Sequence, residues 1–318
     1  MKKTGVVLTA LLCVAAASCS SQHASTDSAR TTTSPSATPT KAAPSAALAT
    51  TSRSAAATTA SASVAASGQG KSVVVIGHSG ATGFESDEGS VDASSRQNAA
   101  DGRENSWATG TNAAVDSIYQ RLAAKAPEYA GHQFNLAADG ATVTDMMSQA
   151  SYLPQVKPTP GVVFVQGGDN DMRCDGTDAQ NYAPFQASFA ALLQSIAKEA
   201  PTANIYVLSM TISAASYADL VSGLPDIKAE NADGSPCAPF DANLNRSAAG
   251  IAYQQDDIDH YDNAMATACA GIPSCHYDKG AMQHLNVVPA DLTSDGNHLN
   301  VTGLRKYADL VWSTFFSG

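Results

Sequence analysis

The strongest constraint on the fold comes from a short β-branched run that leads straight into a glycine-flanked serine. Residues 73–76 read Val-Val-Val-Ile, and Gly77 ends the run. Such a run is typical of a strand that is buried on both faces of a parallel sheet. Glycines on both sides of His78-Ser79 allow a sharp turn, which leaves the Ser79 hydroxyl at the carboxyl end of the strand, where open parallel sheets bind ligands. Ser79 is therefore a candidate nucleophile, with helix capping as the alternative role of a serine in this position.

The rest of the domain alternates short apolar runs with amphipathic stretches. Residues 225–251 show no clear period and are expected to be irregular. Strands that alternate with helices indicate an α/β fold, a three-layer sandwich with a central parallel sheet and helices on both faces. We predict further strands at residues 132–137, 161–165, 204–210 and 284–288, and helices at 113–126, 143–152, 182–199, 256–269 and 302–316.

The first 70 residues are predicted to lie outside the folded domain. Lys2 and Lys3 precede an apolar run at 6–17 that is too short to span a bilayer, as is typical of an export signal over residues 1–19. The run ends in Ala-Ala-Ser-Cys19, so Cys19 is a candidate lipidated terminus of a bacterial lipoprotein, with ordinary cleavage at small residues as the alternative. Residues 20–70, rich in Ser, Thr and Ala, are expected to be a disordered tether. The domain is then 71–318, secreted or anchored to the outer face of the membrane.

Charge and cysteine content narrow the class further. The formal net charge is −11 and the pI is about 4.9, which argues against nucleic acid as a partner because phosphate binding requires a basic patch. After export an even set of four cysteines remains beside Cys19, which suggests disulfides in an oxidising compartment. Cys269 and Cys275 are close in sequence and are expected to pair, leaving Cys174 with Cys237. A zinc site is the weaker alternative, because no Cys-x-x-Cys occurs and the histidines are not spaced around these cysteines.

Four stretches supply the groups that acyl transfer by a serine requires. Ser79 needs a base, and His298 can take its proton while Asp295, three residues earlier, holds the other ring nitrogen. The backbone N–H groups of Ser79 and Gly140 and the side-chain amide of Asn170 can form an oxyanion hole. The first three stretches end predicted strands, and the fourth precedes the last predicted helix.

These four stretches resemble the blocks of the SGNH (GDSL-type) hydrolases, and the resemblance covers most of residues 71–318. Gly77-His78-Ser79 is similar to the first block, Gly140 to the second, residues 168–171 to the third, and residues 295–298 to the last. The resemblance implies a flavodoxin-like sandwich and ester hydrolysis without a cofactor. His78 departs from the pattern, since the family usually has aspartate there. Neighbours on an extended strand point to opposite faces, so we expect His78 to face away from Ser79 in a structural role.

Other polar and aromatic residues carry weaker signals. Trp107, in the long polar loop 83–112, is expected in the core rather than in the substrate pocket. His276 and His284 lack a nearby carboxylate–serine constellation of the kind assigned to His298. Asp171 is expected to support the loop that carries Asn170. A run of acidic residues and a histidine is interpreted as the solvated first turn of a helix rather than a metal site: Asp256, Asp257, Asp259 and His260.

The sequence therefore predicts an exported, monomeric serine esterase. Its substrate is expected to be a small-molecule or glycan ester with a short acyl group such as acetate, because loops 83–112 and 225–251 contain few large apolar residues. A lipase or lysophospholipase is the enzymatic alternative. The alternative of another class is a cell-surface binding module that has lost catalysis, but such a module would not need the complete set of five site residues.

Overall fold

The computed structural model of the protein describes residues 70–87 and 102–317. The predicted export signal, Cys19 and residues 20–69 of the tether lie outside the described residues, as does part of the polar loop that follows Ser79. Among the helices that the structure describes, none combines the length and the apolar character needed to cross a membrane.

A five-stranded, all-parallel sheet forms the centre of the domain, in the order β2-β1-β3-β4-β5. Every residue of β1 and β3 is buried, as the continuous apolar runs of these two strands predict. The order places the carboxyl ends of β1 and β3 side by side, with β2 next to β1. The strands are β1 Ser72–Gly77, β2 Gln133–Asn135, β3 Pro160–Gln166, β4 Asn204–Leu208 and β5 Cys275–Tyr277.

Eight α-helices are present in the described part of the chain. Helix starts follow local capping chemistry, with a Ser117–Gln120 capping box before α2 and an Asn300 cap before α8. They are α1 Ser79–Thr82, α2 Ile118–Lys125, α3 Val143–Ala150, α4 Tyr182–Glu199, α5 Ala214–Val221, α6 Pro225–Glu230, α7 Ala248–Ala270 and α8 Val301–Phe316.

Alternate side chains of the sheet enter two separate cores, one on each face. Val74 and Ile76 pack with side chains of α3, α4 and α7, whereas Val73 and Val75 pack with side chains of α2 and α8. Trp107 is fully buried in the second core and donates its Nε1 proton to Gln166 Oε1 at 3.0 Å. The three-layer α/β sandwich predicted from the sequence is confirmed, and Trp107 lies in its core.

The prediction of a fifth strand at residues 284–288 is wrong. That stretch follows a 3-10 turn, Ala281–His284, and the strand next to β4 is Cys275–Tyr277. β5 is a short edge strand whose side chains are only partly buried, so it carries no apolar run for the sequence to reveal.

The interpretation of residues 225–251 as irregular is also wrong in part. The segment contains α6, and α7 begins at Ala248 because the Ser247 hydroxyl accepts a hydrogen bond from Gly250 N. All four residues of the acidic run therefore lie in the middle of α7 rather than in its first turn: Asp256, Asp257, Asp259 and His260.

Asp257 in particular is fully buried against a disulfide. Its carboxylate accepts a hydrogen bond from the Tyr182 hydroxyl and lies beside the Cys237 sulfur. Both predicted disulfides, Cys174–Cys237 and Cys269–Cys275, are present, each with a Cα–Cα distance of 5.3 Å. The sulfurs nearest Asp257 are those of the Cys174–Cys237 disulfide, so these three residues form a packed structural site.

Candidate active site

The turn after β1 holds Ser79 through close backbone contacts. The Gln149 side chain from α3 binds both backbone groups of Gly77, accepting from its N–H and donating to its carbonyl, each at 2.9 Å. A Cβ atom on Gly77 would lie 2.7 Å from the Gln166 carbonyl oxygen, so only glycine allows β1 to end so close to β3. His78 caps α1 by accepting from Gly80 N at 3.2 Å. Ser79 therefore begins α1 at the carboxyl edge of the sheet.

Ser79, His298 and Asp295 form a continuous hydrogen-bonded chain. His298 Nε2 lies 2.8 Å from Ser79 Oγ, and His298 Nδ1 lies 2.6 Å from Asp295 Oδ2. The Phe84 ring packs against the imidazole with 4.7 Å between ring centroids. With Nδ1–H donating to the carboxylate, Nε2 is free to accept the serine proton, which is the arrangement needed for general-base activation.

Asp295 uses its two oxygens for different purposes. Oδ1 accepts three hydrogen bonds from its own loop: from Thr293 Oγ1 at 2.6 Å, from Asn297 N at 2.8 Å and from His298 N at 3.0 Å. Oδ2 accepts the bond from the imidazole. Burial alone would raise the pKa of Asp295, but these hydrogen bonds, led by that of the His298 side chain, outweigh it and hold the pKa well below its usual range. The carboxylate is therefore ionised at neutral pH.

Asn170 and Gly140 follow the two strands that flank β1, β3 and β2. Asn170 belongs to a 3-10 turn, Asp169–Asp171, and its Nδ2 donates to the Ala141 carbonyl at 3.2 Å. Gly140 precedes Ala141 in an exposed loop and has a φ of 71°, in the left-handed region that favours glycine. Asn170 lines the same cleft as Ser79, whereas Gly140 adjoins it through the Ala141 contact.

His78 joins the turn that carries Ser79 to the turn that carries Asn170. Its Nδ1 accepts from Gly80 N, so in the neutral ring Nε2 carries the proton, and this atom lies 2.8 Å from Asp169 Oδ2. Asp171 anchors the other end of the same turn, accepting from Val143 N at 3.0 Å at the start of α3. Burial raises the pKa of Asp171 to about 6, against the opposing effect of that hydrogen bond. The partner of His78, Asp169, could not be identified from the sequence pattern.

The cleft above these residues has a volume of about 310 Å³. Its lining includes the polar groups of Tyr217, Asn231 and Asn297. It also includes apolar side chains from several elements. None of them stood out in the sequence, because they come from separate segments and follow no common pattern: Met210, Ile212, Leu220, Val287, Leu292 and Leu299.

Residues 99–306 match the model of the GDSL-like lipase/acylhydrolase family, a range that contains Gly140, Asn170, Asp295 and His298 and begins after Ser79. No curated protein matches the chain. Solved structures similar to it include TesA, with 14% identity, coverage of 78% of this chain and 99% of that one, and a TM-score of 0.48. The acetyl xylan esterase AlAXEase has 15% identity, with 77% of this chain and 100% of that chain covered, and a TM-score of 0.44. Phospholipase A1 from Streptomyces albidoflavus NA297 has 16% identity, with 78% of this chain and 100% of that chain covered, and a TM-score of 0.42.

Proposed function

Since the chain belongs to the GDSL-like lipase/acylhydrolase family and is a carboxylic ester hydrolase, we propose that Ser79 is its nucleophile and that short-chain esters are its substrates. The observation that carries the assignment is the position of His298, whose two ring nitrogens lie 2.8 Å from Ser79 Oγ and 2.6 Å from Asp295 Oδ2. Groups this close can pass a proton without rearrangement.

In the first step, Ser79 Oγ attacks the ester carbonyl carbon while its proton moves to His298 Nε2. The carbonyl oxygen becomes an oxyanion, and the imidazolium is stabilised by the ionised Asp295. Collapse of the tetrahedral intermediate breaks the bond to the leaving alcohol, which takes the proton from Nε2. A water molecule then repeats the sequence on the acyl-enzyme, giving the carboxylic acid and free Ser79.

The oxyanion is proposed to bind the backbone N–H groups of Ser79 and Gly140 and the side-chain amide of Asn170. The contact between Asn170 and Ala141 supports this assignment, because it holds the amide beside the loop that carries Gly140. Preorganised donors of this kind stabilise charge that develops only during the reaction, so they accelerate the chemical step more than they strengthen binding.

A short acyl group, such as acetate on a carbohydrate or a small lipid, is the substrate class that we propose. A cleft of about 310 Å³ is at the lower end of the range of about 300–1,000 Å³ for small-molecule sites. The polar residues in its lining, Tyr217, Asn231 and Asn297, offer hydrogen-bonding groups for a hydroxylated leaving group. We also propose export, since residues 1–19 have the pattern of a signal and since the two disulfides suit an oxidising compartment.

The test is a panel of p-nitrophenyl esters from acetate to dodecanoate, with acetylated sugars alongside. We expect kcat/KM to be highest for the shortest esters, and Ser79→Ala to remove turnover of all of them while the near-ultraviolet circular dichroism stays unchanged. An optimum at dodecanoate would support the lipase or lysophospholipase alternative. Hydrolysis by Ser79→Ala at the wild-type rate would exclude Ser79 as the nucleophile, and tight sugar binding without any turnover would indicate a binding module.

A further inference from the structure

A second cavity, more open to solvent than the catalytic cleft, adjoins it. It has a volume of about 580 Å³ and is bounded by α5 and by the segment from Gln283 to Pro289. Three apolar side chains line both this cavity and the catalytic cleft, so the same side chains separate the two: Ile212, Leu220 and Val287.

These three side chains come from different elements but pack together. Ile212 follows β4, Leu220 lies in the last turn of α5, and Val287 lies just before Pro289. They belong to one small apolar cluster with Phe240, distinct from the two cores of the sheet. Each of these side chains therefore contacts both spaces, and Leu220 does so from α5, whose Tyr217 lines the cleft and whose Ser216 and Asp219 line the second cavity.

Ile212 adopts a backbone conformation that β-branched residues rarely accept. Its φ is 61°, in the left-handed region. Two backbone hydrogen bonds hold it there, from Ile212 N to the Met282 carbonyl at 3.1 Å and from Ser213 N to the Gln283 carbonyl at 3.2 Å. A glycine would accept this conformation without strain, whereas the isoleucine adopts it at a conformational cost of the kind found at functional sites.

We propose that Ile212, Leu220 and Val287 set the upper limit on acyl chain length by closing the catalytic cleft against the second cavity. The proposal rests on the proposed function and deepens it. A short acyl group ends at the partition, whereas a longer one would have to pass through it. Removing part of the partition would connect the cleft to the second cavity and give a longer chain apolar surface to contact beyond it, including Leu285 and Val288.

Three variants open the partition in different ways. Leu220→Ala and Val287→Ala shorten two of the side chains, and Ile212→Gly removes the third while relieving the left-handed strain, so this variant is expected to fold even where truncation of a buried leucine is costly. Leu285→Ala is the matched control. Leu285 is 6% exposed and Leu220 is 8% exposed, so the two truncations remove similar burial, but Leu285 lines the second cavity alone.

The measurement is kcat/KM for p-nitrophenyl acetate and p-nitrophenyl octanoate with each purified variant. Each newly buried methylene is worth about fourfold, so two or three of them should raise the octanoate-to-acetate ratio by at least about tenfold in the opened variants. Leu285→Ala should keep the wild-type ratio. An unchanged ratio in Ile212→Gly and Val287→Ala, or an equal rise in Leu285→Ala, would overturn the partition. A wild-type protein that is inactive on every ester would instead refute the proposed function.

Discussion

Asp295→Asn changes a single hydrogen bond of the site and leaves its loop intact. The three loop donors, Thr293 Oγ1, Asn297 N and His298 N, all bind Oδ1, which the asparagine carbonyl oxygen can replace. Only Oδ2, which faces His298 Nδ1 at 2.6 Å, becomes an N–H donor. The imidazole must then accept at Nδ1, so its proton moves to Nε2 and the ring can no longer take the proton of Ser79.

The size of the effect follows from what must be restored for turnover. In the active tautomer the variant lacks the wild type's charge-assisted hydrogen bond to Oδ2, worth about 1.5–3 kcal/mol, and it brings two donors face to face, which costs about 1–3 kcal/mol more. At about 1.4 kcal/mol for each tenfold change in rate, kcat should fall by about 10²–10⁴, with little change in KM.

The assay is p-nitrophenyl acetate hydrolysis at neutral pH, with thermal unfolding followed in parallel. Thr293→Val is the control, because it removes one Oδ1 donor and keeps the carboxylate, and it should change kcat by less than about tenfold. Asp295→Asn with His298→Ala should be little slower than His298→Ala alone, since residues that act as a unit are not additive. If Asp295→Asn retained kcat within tenfold of the wild type while remaining folded, the carboxylate would not be setting the tautomer.

Three further changes test other parts of the structure. Asn170→Ala should lower kcat by about 10²–10³ with a smaller change in KM, and a loss below threefold in ester hydrolysis would mean that its amide does not bind the oxyanion. His78→Asp keeps a capping oxygen but loses the contact with Asp169, so kcat/KM should fall by about 2–10-fold and recover when Asp169→Asn removes the opposed charge. Burial raises the pKa of Asp262 in α7 to about 7, although hydrogen bonds from Met210 N and the Gln283 side chain act to lower it. Because the folded pKa exceeds the unfolded value of about 3.9, the wild-type free energy of unfolding should fall by up to about 4 kcal/mol between pH 4 and pH 8 relative to Asp262→Asn, as urea titrations at the two pH values can measure.

Local sequence was sufficient for the elements that are buried on both faces or marked by special backbone chemistry. The run at β1 could only be a central strand, and the glycines around His78-Ser79 required the turn that follows it. The pairing of the four cysteines followed from their spacing. In each case the physical constraint acts within a few residues, so the amino-acid sequence reports it directly.

Elements at the edge of the sheet were not predictable in the same way. β5 is three residues long and partly exposed, and its place beside β4 depends on backbone pairing, in which Ile205 aligns with Cys275. The start of α7 depends on the Ser247 cap, within a segment that has no apolar period. Neither the strand pairing nor the helix cap leaves a periodic pattern of apolar residues, which is the feature from which elements are predicted in a sequence.

The sequence by itself determined which residues can carry the chemistry, whereas the tertiary structure decided which of them meet. Ser79 and His298 are 219 residues apart, and their 2.8 Å contact depends on the packing of the sheet edge. The sequence likewise did not predict that His78 lies beside Asp169. Nor did it predict that Ile212, Leu220 and Val287 lie between the cleft and the second cavity. The physical reason is that local patterns record whether a side chain is buried, but they contain no information about which distant side chain it is buried against.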